Sequence, residues 1–515
     1  MEKRNNKTTT ILIISIVSIA LIGGAYFYFI YLPSFNEERA RLLTLNTHAD
    51  PETLDPALAF DTSSYSIIVN VYDRLVTNQR GTTDVFEPSL ATSWETPDSV
   101  TYIFNLRDDV LFHDGTPFNA EAVKVSFERV LTMEGPSYIL AVIKEIEVLD
   151  TYRVKITLQQ EFAPFLSLIA HPVASIVSPT AVDEYGTLEA HPVGTGPFMF
   201  VSWQKGNELT LTANGDYFKG APRLENIVFK SILEASGRRT ALEKGELDVV
   251  FTAPPAVTSE DLTALENNAD IRIYQGASSS VEYLGFNMLK EPLDNPKVRE
   301  AISHAIDYES IINDVFEGRA ERAGGPIPPG ILGYTDLLLI QRDTVKAKQL
   351  LEEAGYADGF RITLTYNIEN LERRLVAEKI RDSLAEVNIE VSIKGLDWQS
   401  AIQEYLSMEH EMFLNGWTPD YFDPDAYLAP QFHSMGWANV FGFSNPELDT
   451  LLEEGLTAAE SQREADYIDA QEIIAEEKPC IFLYVPNVYD CVRFNVENWV
   501  HNPLEVINAY ELYKR

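Results

Sequence analysis

ITLTYNIENLERRLVAEKIRDSLAEVNIEVSIKGLDWQSAIQEYLSMEHEMFLNG, residues 362–416, decides the fold. Residues 362–366 alternate apolar and polar as a strand does, 371–386 carry helical periodicity, 389–394 form a second strand, 398–408 a second helix and 411–414 a third strand. Strands that alternate with helices imply crossover connections and a mostly parallel sheet. Ligands of such sheets bind outside the carboxyl ends of the strands.

The chain leaves the third strand as NGWTPDYFDPDAYLAPQF, residues 415–432. Trp417, Tyr421, Phe422 and Tyr427 stand among the carboxylates Asp420, Asp423 and Asp425, while Pro419, Pro424 and Pro430 hold the backbone in turns. Aromatic faces beside an acid suit a ligand that is cationic at one point and apolar elsewhere. Cores use the same residue types, so position is what makes this stretch the candidate site: it emerges on the sheet edge where ligands are expected. Asp423 and Asp425, each beside Pro424, read as turn residues.

Working outward, the chain has 515 residues, 45% hydrophobic and 23% charged, enough for two or three globular domains. Lys and Arg number 40 against 78 Asp and Glu, and a net charge of −38 argues against a nucleic-acid partner, whose phosphates need a basic surface. There is no G-x-S-x-G elbow, no phosphate-binding G-x-x-x-x-G-K-[ST] loop and no H-E-x-x-H zinc helix. The eight histidines are scattered with no pair at ligand spacing. A binding protein without cofactor or metal is therefore expected, not an enzyme.

At the other end of the chain, Lys3, Arg4 and Lys7 precede an uncharged run at residues 11–32. About 22 residues at ~1.5 Å each suffice to cross a ~30 Å hydrocarbon core. The basic flank places residues 1–10 in the cytoplasm and the rest outside. A cleaved signal peptide is the competing reading, but no small-x-small site follows the run and no nearby cysteine could accept a lipid. The expectation is a single-pass anchor with residues 33–41 as a short tether.

Further along, residues 42–46 read as a strand and 63–75 as a helix. Residues 102–106 read as a strand, and Asn119 caps a helix carrying Val123, Phe127, Val130 and Leu131 on one face. Residues 144–149 and 153–158 pair as a hairpin. Gly194 and Gly196 suit a reversal where backbone passes close to something. Asn295-Pro296 starts a core helix on which Arg299 and His304 are expected to be structural. The only cysteines, Cys480 and Cys491, flank residues 481–485 and 488–494, which read as two strands around Pro486-Asn487. That hairpin would set the cysteines opposite one another, bonded as a disulfide or left as two buried thiols.

Several motifs resemble, in order, the signature of the family 5 extracellular solute-binding proteins, the peptide, nickel and oligosaccharide receptors of ABC importers. They are EPSLATSW (87–94), YIFNLR (102–107), FHDGTPF (112–118), PVGTGPF (192–198), NGDYFKGAP (214–222), LEKGELDV (242–249), FN (286–287) and VREAISHAID (298–307), followed by the 415–432 stretch itself. The resemblance covers nearly everything from Leu42 onward.

It implies a mixed α/β, two-lobed periplasmic-binding-protein-like fold with an extra inserted domain. Lobe one would comprise residues 42–76, 194–281 and 497–515, the inserted domain 77–193 and lobe two 282–496. It also implies a monomeric receptor, its C-terminal domain extracytoplasmic, that closes over a ligand and docks on the transmembrane subunits of an ABC permease. In the peptide-binding members the acid of G-W-x-x-D holds the ligand's α-ammonium. Here that acid is Asp420, with Asn415 and Gly416 offering backbone groups and Trp417 and Tyr421 apolar walls. Dipeptide-binding members also clamp the ligand carboxylate with an arginine near the end of the strand matching 362–366. Residues 366–370 contain none, and Arg373 and Arg374 follow on the helix. Oligopeptides held through their backbone are the expected ligands. Oligosaccharides stacked on Trp417 and Tyr421, an anchored ectoenzyme and a ligand sensor are the alternatives, and nickel lacks a histidine pattern.

Overall fold

The computed structural model describes residues 39–47, 49–251, 259–336, 339–503 and 505–515. The expected anchor, residues 11–32, lies outside them; among the described residues no helix is long and apolar enough to cross a membrane. The end of the expected tether is docked on the folded body. The Arg39 guanidinium donates to Gly245 O, and Arg41 O accepts from the backbone N–H groups of Glu225 and Asn226.

In chain order the main elements are β1 (Leu42–Thr47), α1 (Thr62–Val71), β2 (Ala91–Asp98), β3 (Thr101–Leu106), α2 (Ala120–Thr132), β4 (Ile143–Asp150), β5 (Arg153–Leu158), β6 (Phe198–Gln204), β7 (Glu208–Ala213), β8 (Asn226–Ser231), β9 (Val249–Val250), β10 (Ile271–Ala277) and β11 (Val281–Phe286). They continue with α3 (Pro296–Ala305), β12 (Ala320–Arg322), β13 (Phe360–Asn367), α4 (Leu371–Ala385), β14 (Ile389–Leu396), α5 (Trp398–Leu406), β15 (Met412–Trp417), α6 (Pro424–Phe432), α7 (Pro446–Gly455), α8 (Glu460–Glu477) and β16 (Cys480–Arg493). The helices begin where a short polar side chain can satisfy the first free N–H groups. Asp61 accepts from Ser64 N–H, Asn119 from Glu121 and Ala122, Asn295 from Lys297, Asn370 from Arg373 and Asp397 from Ser400.

The 362–416 pattern folds as read: β13 runs parallel to both β14 and β15. The whole sheet is nevertheless mixed, because β11 enters antiparallel beside β15 and β16 runs antiparallel beside β11. Its strand order is β14-β13-β15-β11-β16-β9-β1-β8-β7-β6. One lobe buries Leu284, Val298, Ile302, Leu364, Val376 and Leu414, and the other Leu43, Leu45, Ile67, Ile227 and Phe229. A separate antiparallel sheet, β2-β3-β5-β4, packs with Val123, Phe127 and Val130 of α2 around its own core.

Helix α1 stops at Val71, earlier than expected, because the chain that returns at 194–196 is pressed against its end. A Cβ on Gly194 would stand 2.2 Å from Val71 O, and Gly196 N–H donates to the same carbonyl at 2.9 Å. Only glycine permits that approach. Arg299 is 2% exposed and spends its guanidinium on backbone carbonyls of Leu293 and Glu477, and His304 Nδ1 lies 3.0 Å from Gln341 O. Both are structural.

The expected hairpin of residues 481–494 is not formed. Residues 480–493 are one strand, β16, that crosses from one half of the sheet to the other. Its first part pairs with β11 and β12, and its second with β10 and β9, so the partners lie far off in sequence and override the local Pro-Asn turn signal. Pro486, which has no N–H to give a ladder, sits at the changeover. Cys480 and Cys491 are eleven positions apart on this strand, hence about 36 Å at ~3.3 Å per residue. Both are free and buried in different cores, and no disulfide joins them. Burial raises the Cys480 thiol well above its ordinary range and pushes Cys491 up to about 12. A thiol reagent should therefore find no reactive group in the folded protein and two after unfolding without reductant; a protein that yields none after unfolding would contradict this arrangement.

Candidate functional site

At Trp417 the sheet hands the chain to a loop that ends where Asp423 caps α6, its carboxylate accepting from Asp425 N–H at 3.1 Å. The three acids of the stretch have different fates. Asp423 is more than a turn residue, because Arg463 of α8 donates to both of its oxygens at 2.7 Å in a buried pair. Asp425 is buried and accepts the Tyr421 hydroxyl at 2.5 Å; burial pushes its carboxyl up to about 6, against the Tyr421 hydrogen bond. Asp420 alone faces outward. Among the described residues no cation pairs with it.

What Asp420 faces is the separate sheet's own unit. The Tyr138 hydroxyl and Tyr65 of α1 both lie close enough to feel its charge. Loss of water around the carboxyl raises it above the usual aspartate range, while the Tyr138 hydroxyl pulls it down. Neither tyrosine carried a local sequence signal. Tyr138 is 54% exposed in a short turn with no periodicity, and it meets Asp420 only through the tertiary fold.

The aromatics divide similarly. Tyr427 is fully buried, its hydroxyl donating to Ser279 O at 3.0 Å. Tyr421 is half-buried with its ring 6.4 Å from Phe162, wedged between the loop and the smaller unit, so it joins two bodies rather than offering an open face. Trp417 is half-buried, with its indole N–H donating to Ala426 O at 2.8 Å and its ring 5.6 Å from that of Trp437. The indole edge is thus tied down.

Asn415 and Gly416 lie on β15 opposite Tyr283 and Glu282 of β11. On the other edge β13 pairs only at Met412 and Phe413, so among the described residues no strand covers that side from Leu414 onward. An extended ligand could add there as a strand. The Asn415 side-chain oxygen is also buried, and has no partner among the described residues. Beneath Gly416 lies a buried ion pair in which Arg373 donates to both oxygens of Glu282, at 2.8 and 2.9 Å, and to Asn367 at 2.8 Å. Burial works against the Arg373 charge, and Glu282 more than restores it. A Cβ at 416 would stand 2.0 Å from Glu282 Oε1, which is why glycine occupies the position. Arg373 is therefore already committed, and exposed Arg374 is paired with Glu378. Neither clamps a ligand carboxylate in this arrangement.

A two-lobed α/β body whose parallel strands end beside an aromatic loop with one uncommitted carboxylate defines a protein of the periplasmic-binding-protein-like class. Residues 85–439 match the model of the bacterial extracellular solute-binding proteins, family 5 Middle. The chain belongs to that family, the extracytoplasmic solute-binding proteins of ABC importers. It is similar to the probable D,D-dipeptide-binding periplasmic protein DdpA of Escherichia coli K12, 32% identical over 492 residues that cover 92% of this chain and 94% of that one. The glutathione-binding protein GsiB of Shigella flexneri is 33% identical over 466 residues, 87% and 90% of the two chains. Among solved structures, the periplasmic binding protein DppA of Helicobacter pylori in complex with the peptide STSA matches with a TM-score of 0.77 at 31% identity, over 93% of this chain and 99% of that one.

Proposed function

We propose that this chain is a membrane-anchored receptor that captures oligopeptides in a cleft between its lobes and delivers them to an ABC permease. The observation that carries the reading is Asp420, a carboxylate at the end of the parallel strands with no cation paired to it among the described residues and two tyrosines near it. It would hold the α-ammonium of the peptide. The open edge of β15 at Asn415 and Gly416 would pair with the ligand's main chain, Trp417 would flank it, and Tyr421 would hold the loop in place against the smaller unit. The relatives that bind dipeptides, glutathione and STSA support the ligand class. The committed state of Arg373 supports ligands gripped along their backbone over ligands of one fixed length.

In this reading lobe one is built from residues 42–76, 194–281 and 497–515, the inserted domain from 77–193 and lobe two from 282–496. Residues 11–32 anchor a monomeric receptor beside its permease, with residues 1–10 in the cytoplasm. Mass spectrometry of whatever co-purifies with the protein from Leu42 onward tests the ligand class. Peptides with free N-termini are expected, and a bound sugar would overturn the reading.

A further inference from the structure

Just after α1 the chain runs Tyr72-Asp73-Arg74, and Arg74 is only 9% exposed. Its Nη2 donates to Thr77 Oγ1 at 3.3 Å, while Nε and Nη1 are buried with no partner among the described residues. Among those residues no carboxylate forms an ion pair with it. Asp73 favours its charge against the effect of burial, but the two oxygens of Asp73 are taken by the hydroxyls of Tyr217 and Thr195, each at 2.9 Å. A buried guanidinium this short of partners is costly, and such a group in a folded protein points to something that meets it.

Arg74 lines a cavity of about 350 Å³ where the turn after α1, the start of the smaller unit and the C-terminal segment meet. Among the residues that line it, none comes from the 415–432 stretch, and Tyr65 and Tyr138 are not part of it. The buried side chains of Phe251, Trp499, Val506 and Ile507 give it apolar walls. A second cation, Lys219, lines it as an exposed residue and donates to Ser89 Oγ at 3.3 Å. Arg80 also borders it but is spent on Glu511, at 2.7 Å, and on Asn498 O. Water could satisfy the Arg74 N–H groups without answering their charge, and it gains little from the apolar walls. A planar carboxylate answers the charge and takes parallel hydrogen bonds from the guanidinium fork. We propose that this cavity is a second binding site, for a small carboxylate with a compact apolar body, in which Arg74 holds the carboxylate, Lys219 supplies the outer positive charge and Phe251 and Trp499 flank the apolar part. The volume suits one small organic molecule and is too small for a long peptide. The site stands independently of the peptide reading given above.

Calorimetric titration of the full chain with benzoate and with its neutral analogue benzamide tests it. Benzoate should bind about tenfold or more tighter than benzamide and should raise the melting temperature. Arg74→Met should bring the two probes to the same weak level while melting no lower than the wild type, because it removes a stranded charge and keeps most of the volume. Lys219→Gln, a change at an exposed position, should weaken benzoate by about two- to fivefold. Benzoate carries no ammonium, so Asp420→Ala should bind it as the wild type does. A wild type that binds neither probe or takes both equally, an Arg74→Met protein that keeps the preference, or an Asp420→Ala protein that loses it overturns the assignment. A marked fall in the melting temperature of Arg74→Met would make the guanidinium a structural prop and overturn it as well.

Discussion

Replacing Asp420 by alanine is expected to weaken the binding of peptides with free N-termini by about 10- to 100-fold and to leave the melting temperature unchanged. A hydrogen bond to an ionised partner contributes roughly 1.5–3 kcal/mol, and each ~1.4 kcal/mol is a factor of ten. Asp420 is exposed, and its described polar neighbour is the Tyr138 hydroxyl, so the fold does not depend on it. Acetylating the peptide's N-terminus should cost the wild type about as much as the substitution does, and should cost the variant almost nothing further. Lowering the pH should weaken wild-type binding as the carboxyl protonates, and it should do so earlier than for an ordinary aspartate because loss of water holds this group above the usual range. Equal affinity of wild type and variant for a free tripeptide would remove Asp420 from the site.

A second large effect is expected away from the loop. The Asp55 carboxylate has no exposed surface and accepts from the Arg129 guanidinium, from Leu188 N–H at 2.8 Å and from Ala57 N–H at 3.1 Å. It fastens the turn before α1 to α2 of the smaller unit. Asp55→Ala would leave a buried guanidinium with, among the described residues, only Gly186 O, at 3.2 Å, within reach. Stranding one member of a buried pair costs about 3–5 kcal/mol, a large share of the ~5–15 kcal/mol that holds a domain folded. Urea unfolding should show a loss of that order. The double replacement Asp55→Leu with Arg129→Met should recover part of it, because no charge is then left unpaired. A single-variant loss under about 1 kcal/mol would mean that water reaches the guanidinium.

What could be read from sequence follows from how local each signal is. The strands and helices of residues 362–416 were legible because periodicity and caps such as Asn370 and Asp397 act within a few residues. Their parallel pairing followed from the alternation, and the place of Asp420 followed from the end of the last strand. The course of residues 480–493 was not legible, since a proline followed by an asparagine carries the same local signal whether the flanking strands pair with each other or with β11 and β10. Asp423 looked like a turn residue because its cap lies two positions away, whereas its partner Arg463 is forty positions on. Tyr138 was out of reach for the same reason: nothing near it in sequence records that Asp420 will come to face it.

The continuity of β16 bears on how the molecule is made. Until residues 480–493 have left the ribosome and been exported, β11 lacks one of its two neighbours in one lobe, and in the other β9 lacks one of its two and β10 its partner. Two sheet edges then stand open in the same nascent chain, and open edges are where strands of different molecules join. Neither lobe can finish ahead of the other, because a single late segment completes both. A transcript that stops shortly before Cys480 would thus yield two unfinished sheets with a tendency to aggregate, not one working lobe and one missing lobe.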